Sequence, residues 1–269
     1  MTDVAEKSSP VLFIPHGGGP MPLFDHKGHQ ELVSFLKSIP AQLGAPSAII
    51  LISAHWEEGK VTITGGESPE LIYDYYGFPK DAYDVKYPAP GHTVLAERVN
   101  DLLKHHNIES DIDYERGFDH GMYVPLKLMY PEASIPCIQL SLINNLNPKQ
   151  HIEIGKALAK LRKENVLIIG SGFSFHNLDA FRSINGGSND SKNEAFEQWL
   201  IDTCTDKMFS PVEREQRLTG WSDAPHARYC HPREEHLLPL HVCYGLAGTE
   251  AKLVFEGTVL GKKASAFLW

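Results

Sequence analysis

Histidine is the residue type that could carry most of the chemistry in this chain. The 269 residues include 14 histidines and only 4 cysteines. Several histidines stand where an apolar run breaks. His16 follows "VLFIP" and precedes three glycines; His55 lies in "SAHWE"; His176 lies in "FHNL", shortly after "NVLIIGSG". Imidazole is the commonest side-chain ligand for transition metals, binds them in its neutral form, and is also the usual proton carrier in catalysis. Taken singly, a histidine after a strand is more often a cap or turn residue than a ligand. Three at equivalent topological positions make a joint case for a metal centre.

Two more candidates follow. His236, in "HPREEHLLPL", stands near the start of a helix expected from about Glu234, with Glu234 and Glu235 in a first turn that favours negative charge. Its neighbours His231 and His241 read as supporting or structural, and the cluster has neither zinc-finger nor HExxH spacing. His120, in "GFDHG", sits between Asp119 and Gly121 ahead of an apolar helical run. That placement suits proton transfer; the competing reading makes Asp119 the helix cap and His120 incidental.

Other motifs fail. Gly17–Gly19 match no phosphate-loop pattern, and in "GSGFS" (170–174) the position of a nucleophilic serine is held by Gly172. The glycines instead let the chain turn sharply off the strand that presents His16. The segment 73–91, "YDYYGFPKDAYDVKYPAPG", is dense in aromatics and prolines. Together with 218–229, "LTGWSDAPHARY", it is expected to wall a pocket for a flat, apolar ligand.

The elements that must position these residues alternate along the chain. Apolar runs at 11–15, 48–54, 136–142, 165–172 and 252–259 read as strands. "AIILISA" and "VLIIG" are continuous rather than alternating, as in strands buried on both faces. Helical periodicity covers "HQELVSFLKSIPAQL", "TVLAERVNDLLKHH" and "NPKQHIEIGKALAKLRKE", the last with Asn147 as N-cap and Pro148 at its first position. It resumes at "NEAFEQWLIDTC" after a surface loop at 184–190. This predicts one α/β domain over 1–269, with a mixed, partly parallel central sheet flanked by helices. If the strands before His16, His55 and His176 are parallel, their C-terminal ends share the sheet edge at which open α/β folds bind ligands.

Composition narrows the function. Acidic residues outnumber basic ones, 34 to 25, for a net charge of −9, which argues against sequence-independent nucleic-acid binding. No apolar run is long enough for a membrane span, and the N-terminus is polar without a signal-peptide core, so a cytoplasmic protein is expected. Cys137, Cys204, Cys230 and Cys243 form no CxxC pair and read as reduced thiols.

"PHGGGP", "SAHWE", "YPAPG", "GFDHG", "FHNL" and "HPREEHLLPL" occur in this order across nearly the whole chain. Singly they are weak; in order they resemble the extradiol ring-opening dioxygenases of the DODA type, within the LigB-like class III superfamily. The resemblance implies the LigB-like α/β fold and a mononuclear non-haem Fe(II) centre, with Zn(II) as the alternative ion. It implies metal ligands at His16, His55, His176 and His236, with Glu235 as the less favoured alternative, and acid/base roles for His120 and for whichever of His176 or His236 is not tightly bound. The implied substrates are a catecholic aromatic compound, such as DOPA, and O2, with a ring-opened semialdehyde as product. A zinc-dependent hydrolase and a non-catalytic Memo-like binding protein are the alternatives on the same fold. Oligomeric state is open, a homo-oligomer included.

Overall fold

The computed structural model describes residues 8–182 and 190–269. The expected loop at 184–190 therefore lies outside the described residues except for Asp190. Eight strands form one sheet: β1 (Val11–Pro15), β2 (Ala48–Glu58), β3 (Val61–Thr64), β4 (Ser110–Asp113), β5 (Cys137–Ile143), β6 (Val166–Gly172), β7 (Lys252–Val259) and β8 (Lys262–Leu268). The order across the sheet is β4-β3-β5-β2-β6-β1-β8-β7. The four central strands, β5, β2, β6 and β1, are mutually parallel. β3 runs antiparallel to β5, and β8 and β7 add an antiparallel pair beyond β1. The sheet is thus mixed, as expected. β1 and β6 are buried along their whole length, the burial their unbroken apolar sequence requires.

The helices are α1 (Gln30–Ser38), α2 (Pro40–Leu43), α3 (Thr93–His105), α4 (His120–Met129), α5 (Pro148–Leu158), α6 (Leu178–Arg182), α7 (Ser191–Thr205), α8 (Pro211–Thr219), α9 (Ala227–Cys230) and α10 (Leu238–Ala247). α5 starts as its sequence predicts: Asn147 accepts from the Gln150 amide and Pro148 follows. α10 is the most apolar, with all but its last residue buried, and packs on α5 and on β6, β1 and β2.

Three features depart from expectation. β3, β4 and β8 carry no strong apolar run; β7 and β8 are joined by a two-residue turn, Leu260–Gly261, with positive φ at both positions (52° and 79°). β2 does not stop at Ala54 but continues to Glu58 through an irregular register against β5, so His55 is on the strand itself. The helix expected from Glu234 begins at Leu238, because Pro239 sits in its first turn and residues 234–237 form a turn in which the Glu234 carbonyl accepts from the Leu237 and Leu238 amides. All four cysteines are buried free thiols. No described helix is long and apolar enough to cross a membrane.

Candidate metal centre and active site

Because β1, β2 and β6 are parallel, their C-terminal ends meet at one sheet edge. Pro15 pairs with Gly172 and Ser53 with Ser171, and the His16 amide donates to the Gly172 carbonyl at 3.2 Å. His16 and His55 meet there with their Nε2 atoms 3.0 Å apart. His236 joins them from the turn before α10, so that ligand atoms of His16, His55 and His236 all lie within 4.8 Å of one another. His16 and His236 are buried, while His55 is partly open to a cavity.

The surroundings set the tautomers of these rings. His16 Nδ1 lies 3.2 Å from Ser171 Oγ, whose hydroxyl donates to the Gly121 carbonyl; Ser171 can therefore only accept from His16. His236 Nδ1 lies 2.9 Å from Glu235 Oε1, and His55 Nδ1 faces Asp74 Oδ2 at 3.8 Å. His16 and His236 thus carry their protons on Nδ1 and keep the Nε2 lone pair free, while the Asp74 carboxylate faces His55 beyond hydrogen-bond reach. Burial, then neighbouring imidazoles, pushes the pKa values of His16 and His55 well below the ordinary range and that of His236 down to about 3. Three neutral, convergent imidazole nitrogens with carboxylate or hydroxyl partners behind two of them and a carboxylate facing the third are a donor set for a divalent first-row metal.

His176 comes to the same edge but stands apart from His16 and His55. Its ring stacks on His236, with centroids 3.4 Å apart and planes 15° from parallel, and its Nδ1 lies 3.2 Å from the same Glu235 oxygen. It groups with Glu235 and His236 rather than with the first two histidines. Burial alone would raise the Glu235 pKa, but the hydrogen bonds from His176 and His236 outweigh it and hold the carboxyl well below its usual range. Glu235 is therefore a carboxylate that orients two imidazoles.

His120 is buried at the first position of α4, its ring 3.9 Å from that of His55 and 5.5 Å from that of His16. The reading of Asp119 as helix cap fails: Asp119 occupies the N-cap position, but its side chain makes no capping bond and takes hydrogen bonds from Ser53 Oγ (2.8 Å) and the Gln139 amide instead. His120 is paired with Asp74, a residue that sequence reasoning passed over. It lies inside the aromatic segment 73–91, and no spacing connects it to position 120. Ser171 was missed for the same reason.

These residues open into a cavity of about 790 Å³ walled by Met21, Tyr75, Phe78, Phe173, Phe181 and Leu260. The segment 73–91 supplies part of that wall, as expected. The segment 218–229 does not line it: Trp221 is buried behind the site against His231. His231 donates to the Ser174 carbonyl, and His241 lies between the Leu237 and Leu218 carbonyls and donates to one of them, which are structural roles. Gly17–Gly19 also reach the cavity. Gly17 has φ +85°, and a Cβ there would collide with Pro22, so the turn after His16 requires glycine.

The sequence profile described as "Catalytic LigB subunit of aromatic ring-opening dioxygenase" matches residues 8–263. The chain is 37% identical to the dioxygenase tasH of Hapsidospora irregularis, over 97% of this chain and 85% of that protein. It is 39% identical to a protein of Beta vulgaris named 4,5-DOPA dioxygenase extradiol, over 90% of this chain and 88% of that protein. In three dimensions it resembles an uncharacterized protein of Escherichia coli K12 with a TM-score of 0.79 at 29% identity, over 97% and 99% of the two chains.

Proposed function

This chain belongs to the LigB family of aromatic ring-opening dioxygenases, and we infer from that membership that it is an extradiol ring-cleaving dioxygenase, a metal-dependent oxidoreductase using an aromatic substrate and O2. The finer reading is that the aromatic ring is a catechol and the ion is Fe(II), with residues 1–269 acting as one catalytic domain. The observation that carries it is the convergence of the His16, His55 and His236 donors beside His120 at the floor of an aromatic-walled cavity. These three histidines hold the ion, and His176, stacked on His236, stands as the fourth histidine at its edge.

When bound, Fe(II) supplies the redox chemistry between ring and O2, which no side chain here can supply. The protein's own part is binding and proton movement. The apolar walls receive the flat ring and exclude water. His120 accepts a proton from a catechol hydroxyl at Nε2 and returns it later, and His176 serves as the second proton carrier. At the cavity lining, Arg233 pairs with both oxygens of Glu57 at 2.5 and 2.6 Å. A substrate bearing both an ammonium and a carboxylate, as DOPA does, meets an acceptor and a donor there, which makes it the first catechol to try.

The test is anaerobic Fe(II) reconstitution followed by oxygen-electrode assays over a catechol panel including DOPA and 4-methylcatechol. Stoichiometric O2 uptake with a yellow ring-opened product is expected from the iron form, and none from the zinc form, because Zn(II) has no redox chemistry. Zinc retention with no oxygen uptake after iron loading overturns the reading in favour of a zinc hydrolase.

A further inference from the structure

We propose that Asp74 is a positioning residue that fixes the backbone, ring orientation and tautomer of His120. The inference rests on the acid/base reading of His120 and adds what makes that ring competent.

The N-terminus of α4 has lost its local cap, since Asp119 is engaged with Ser53 and Gln139. The first helical amide, that of His120, donates instead to Asp74 Oδ1 at 2.9 Å, across 46 residues of sequence. The other oxygen of the same carboxylate, Oδ2, lies 2.8 Å from His120 Nδ1. One carboxylate therefore accepts from the amide of one histidine and lies against its ring nitrogen, close but off the line of the N–H. A carboxylate offers only acceptors, so the proton of the neutral ring stays on Nδ1 and Nε2 is the free base. Burial would raise the Asp74 pKa, but the bonds from His120 outweigh it and keep the group ionised.

Asp74 is itself held in place. Ile72 donates to the Phe118 carbonyl and Phe118 to that of Glu70, both at 2.8 Å, so a short bridge sets residues 70–72 beside the approach to α4. On either side of Asp74, the Tyr73 and Tyr75 hydroxyls donate to the Val85 and Ala82 carbonyls at 2.7 and 2.5 Å. The Tyr123 hydroxyl of α4 donates to that of Tyr75 at 3.0 Å, giving the cavity wall a second tie to the helix. His55 Nδ1 faces the same Oδ2 from 3.8 Å, so any effect through His55 must be separated from the effect on His120.

Asp74→Asn makes the separation. The asparagine oxygen can still accept from the His120 amide, so the cap survives, but its NH2 group cannot accept from Nδ1 and drives the ring to the opposite tautomer. In zinc-loaded protein, imidazole 15N spectra should show His120 protonated on Nδ1 in the wild type and on Nε2 in Asp74→Asn. With Fe(II), kcat for 4-methylcatechol should fall by about 10²–10⁴-fold, the usual contribution of a positioned acid/base group. KM, iron content and Tm should stay near wild type. Asp74→Ala should lose the cap as well and melt lower.

An unchanged His120 tautomer in Asp74→Asn overturns the inference, as does wild-type kcat in that variant while His120→Gln is inactive. Loss of bound iron in Asp74→Asn also overturns it, by showing that the carboxylate serves His55. Full turnover by His120→Gln would instead remove the acid/base reading, and the 15N spectra would still decide whether Asp74 sets the ring.

Discussion

At the scale of residues, the site is a set of imidazoles whose protons have been assigned by their neighbours. Ser171, Glu235 and Asp74 face the Nδ1 atoms of all five histidines at the edge, so removing a ligand and removing its orienting partner should differ in degree. His16→Ala, His55→Ala and His236→Ala should each abolish stoichiometric iron binding, read by metal analysis after anaerobic loading. Glu235→Gln leaves every ligand in place but offers the stacked pair a poorer acceptor. Its metal affinity should fall by about 10–100-fold, the usual cost of losing such a partner, measured by chelator competition. His176→Gln should retain the ion and lose turnover. Loss of the ion in that variant would make His176 a true fourth ligand. The histidines themselves were legible in sequence because His16, His55 and His176 follow apolar runs, His120 sits beside glycine, and His236 opens an apolar helical run. Asp74 was not, because an aspartate among tyrosines in a loop has no periodicity to mark it.

At the scale of elements, the sheet edge works because β6 lies close to the segment that delivers His236. The Phe173 amide donates to the His236 carbonyl at 2.9 Å, and a Cβ on Gly172 would collide with that same carbonyl oxygen. Gly172→Ala should therefore push His236 away from His16 and His55. We expect about 1–3 kcal/mol of destabilisation, the usual range for an overpacked site, together with weakened iron binding. Thermal melts and metal titration check both, and normal metal affinity would show that the turn before α10 yields without cost to the site. That turn also shows the limit of element prediction from sequence. Two glutamates before an apolar run read as the first helical turn, but Pro239 defers the helix to Leu238, and the four residues before it become the arm that carries Glu235 and His236 to the edge.

At the scale of the molecule, buried ionisable groups give stability opposing dependences on pH. Burial pushes the pKa of His231 down to about 3 and those of His151 and His29 down to about 4. Unfolded, these rings take up protons near 6.5, so between about pH 6.5 and 4 the unfolded chain binds more protons and stability falls as pH falls. Glu197, fully buried against Ser265, works the other way. Burial raises its carboxyl to about 7, so through the window from its ordinary value of 4.5 up to 7 the folded chain keeps a proton the unfolded chain has lost, and stability falls as pH rises. Glu197→Gln should therefore raise Tm at pH 8 and leave it unchanged at pH 4 in the metal-free protein. An equal shift at both pH values would show that packing, not ionisation, is what changed.

The sequence by itself determined the class of fold, the central strands, and the histidines that stand beside them. Those signals are local: unbroken apolar runs, helical periodicity, and a histidine placed where each run ends. Parallel strand direction then carried three of them to one edge. Tertiary structure alone decided how the histidines are grouped. His236 and not His176 completes the close trio, Glu235 orients both, the segment 218–229 packs behind the site, and Asp74 grips His120. Each of these depends on a contact between segments far apart in the chain, made by a hydrogen bond of about 3 Å or a ring stacked at 3.4 Å, and no spacing along the sequence encodes such a distance.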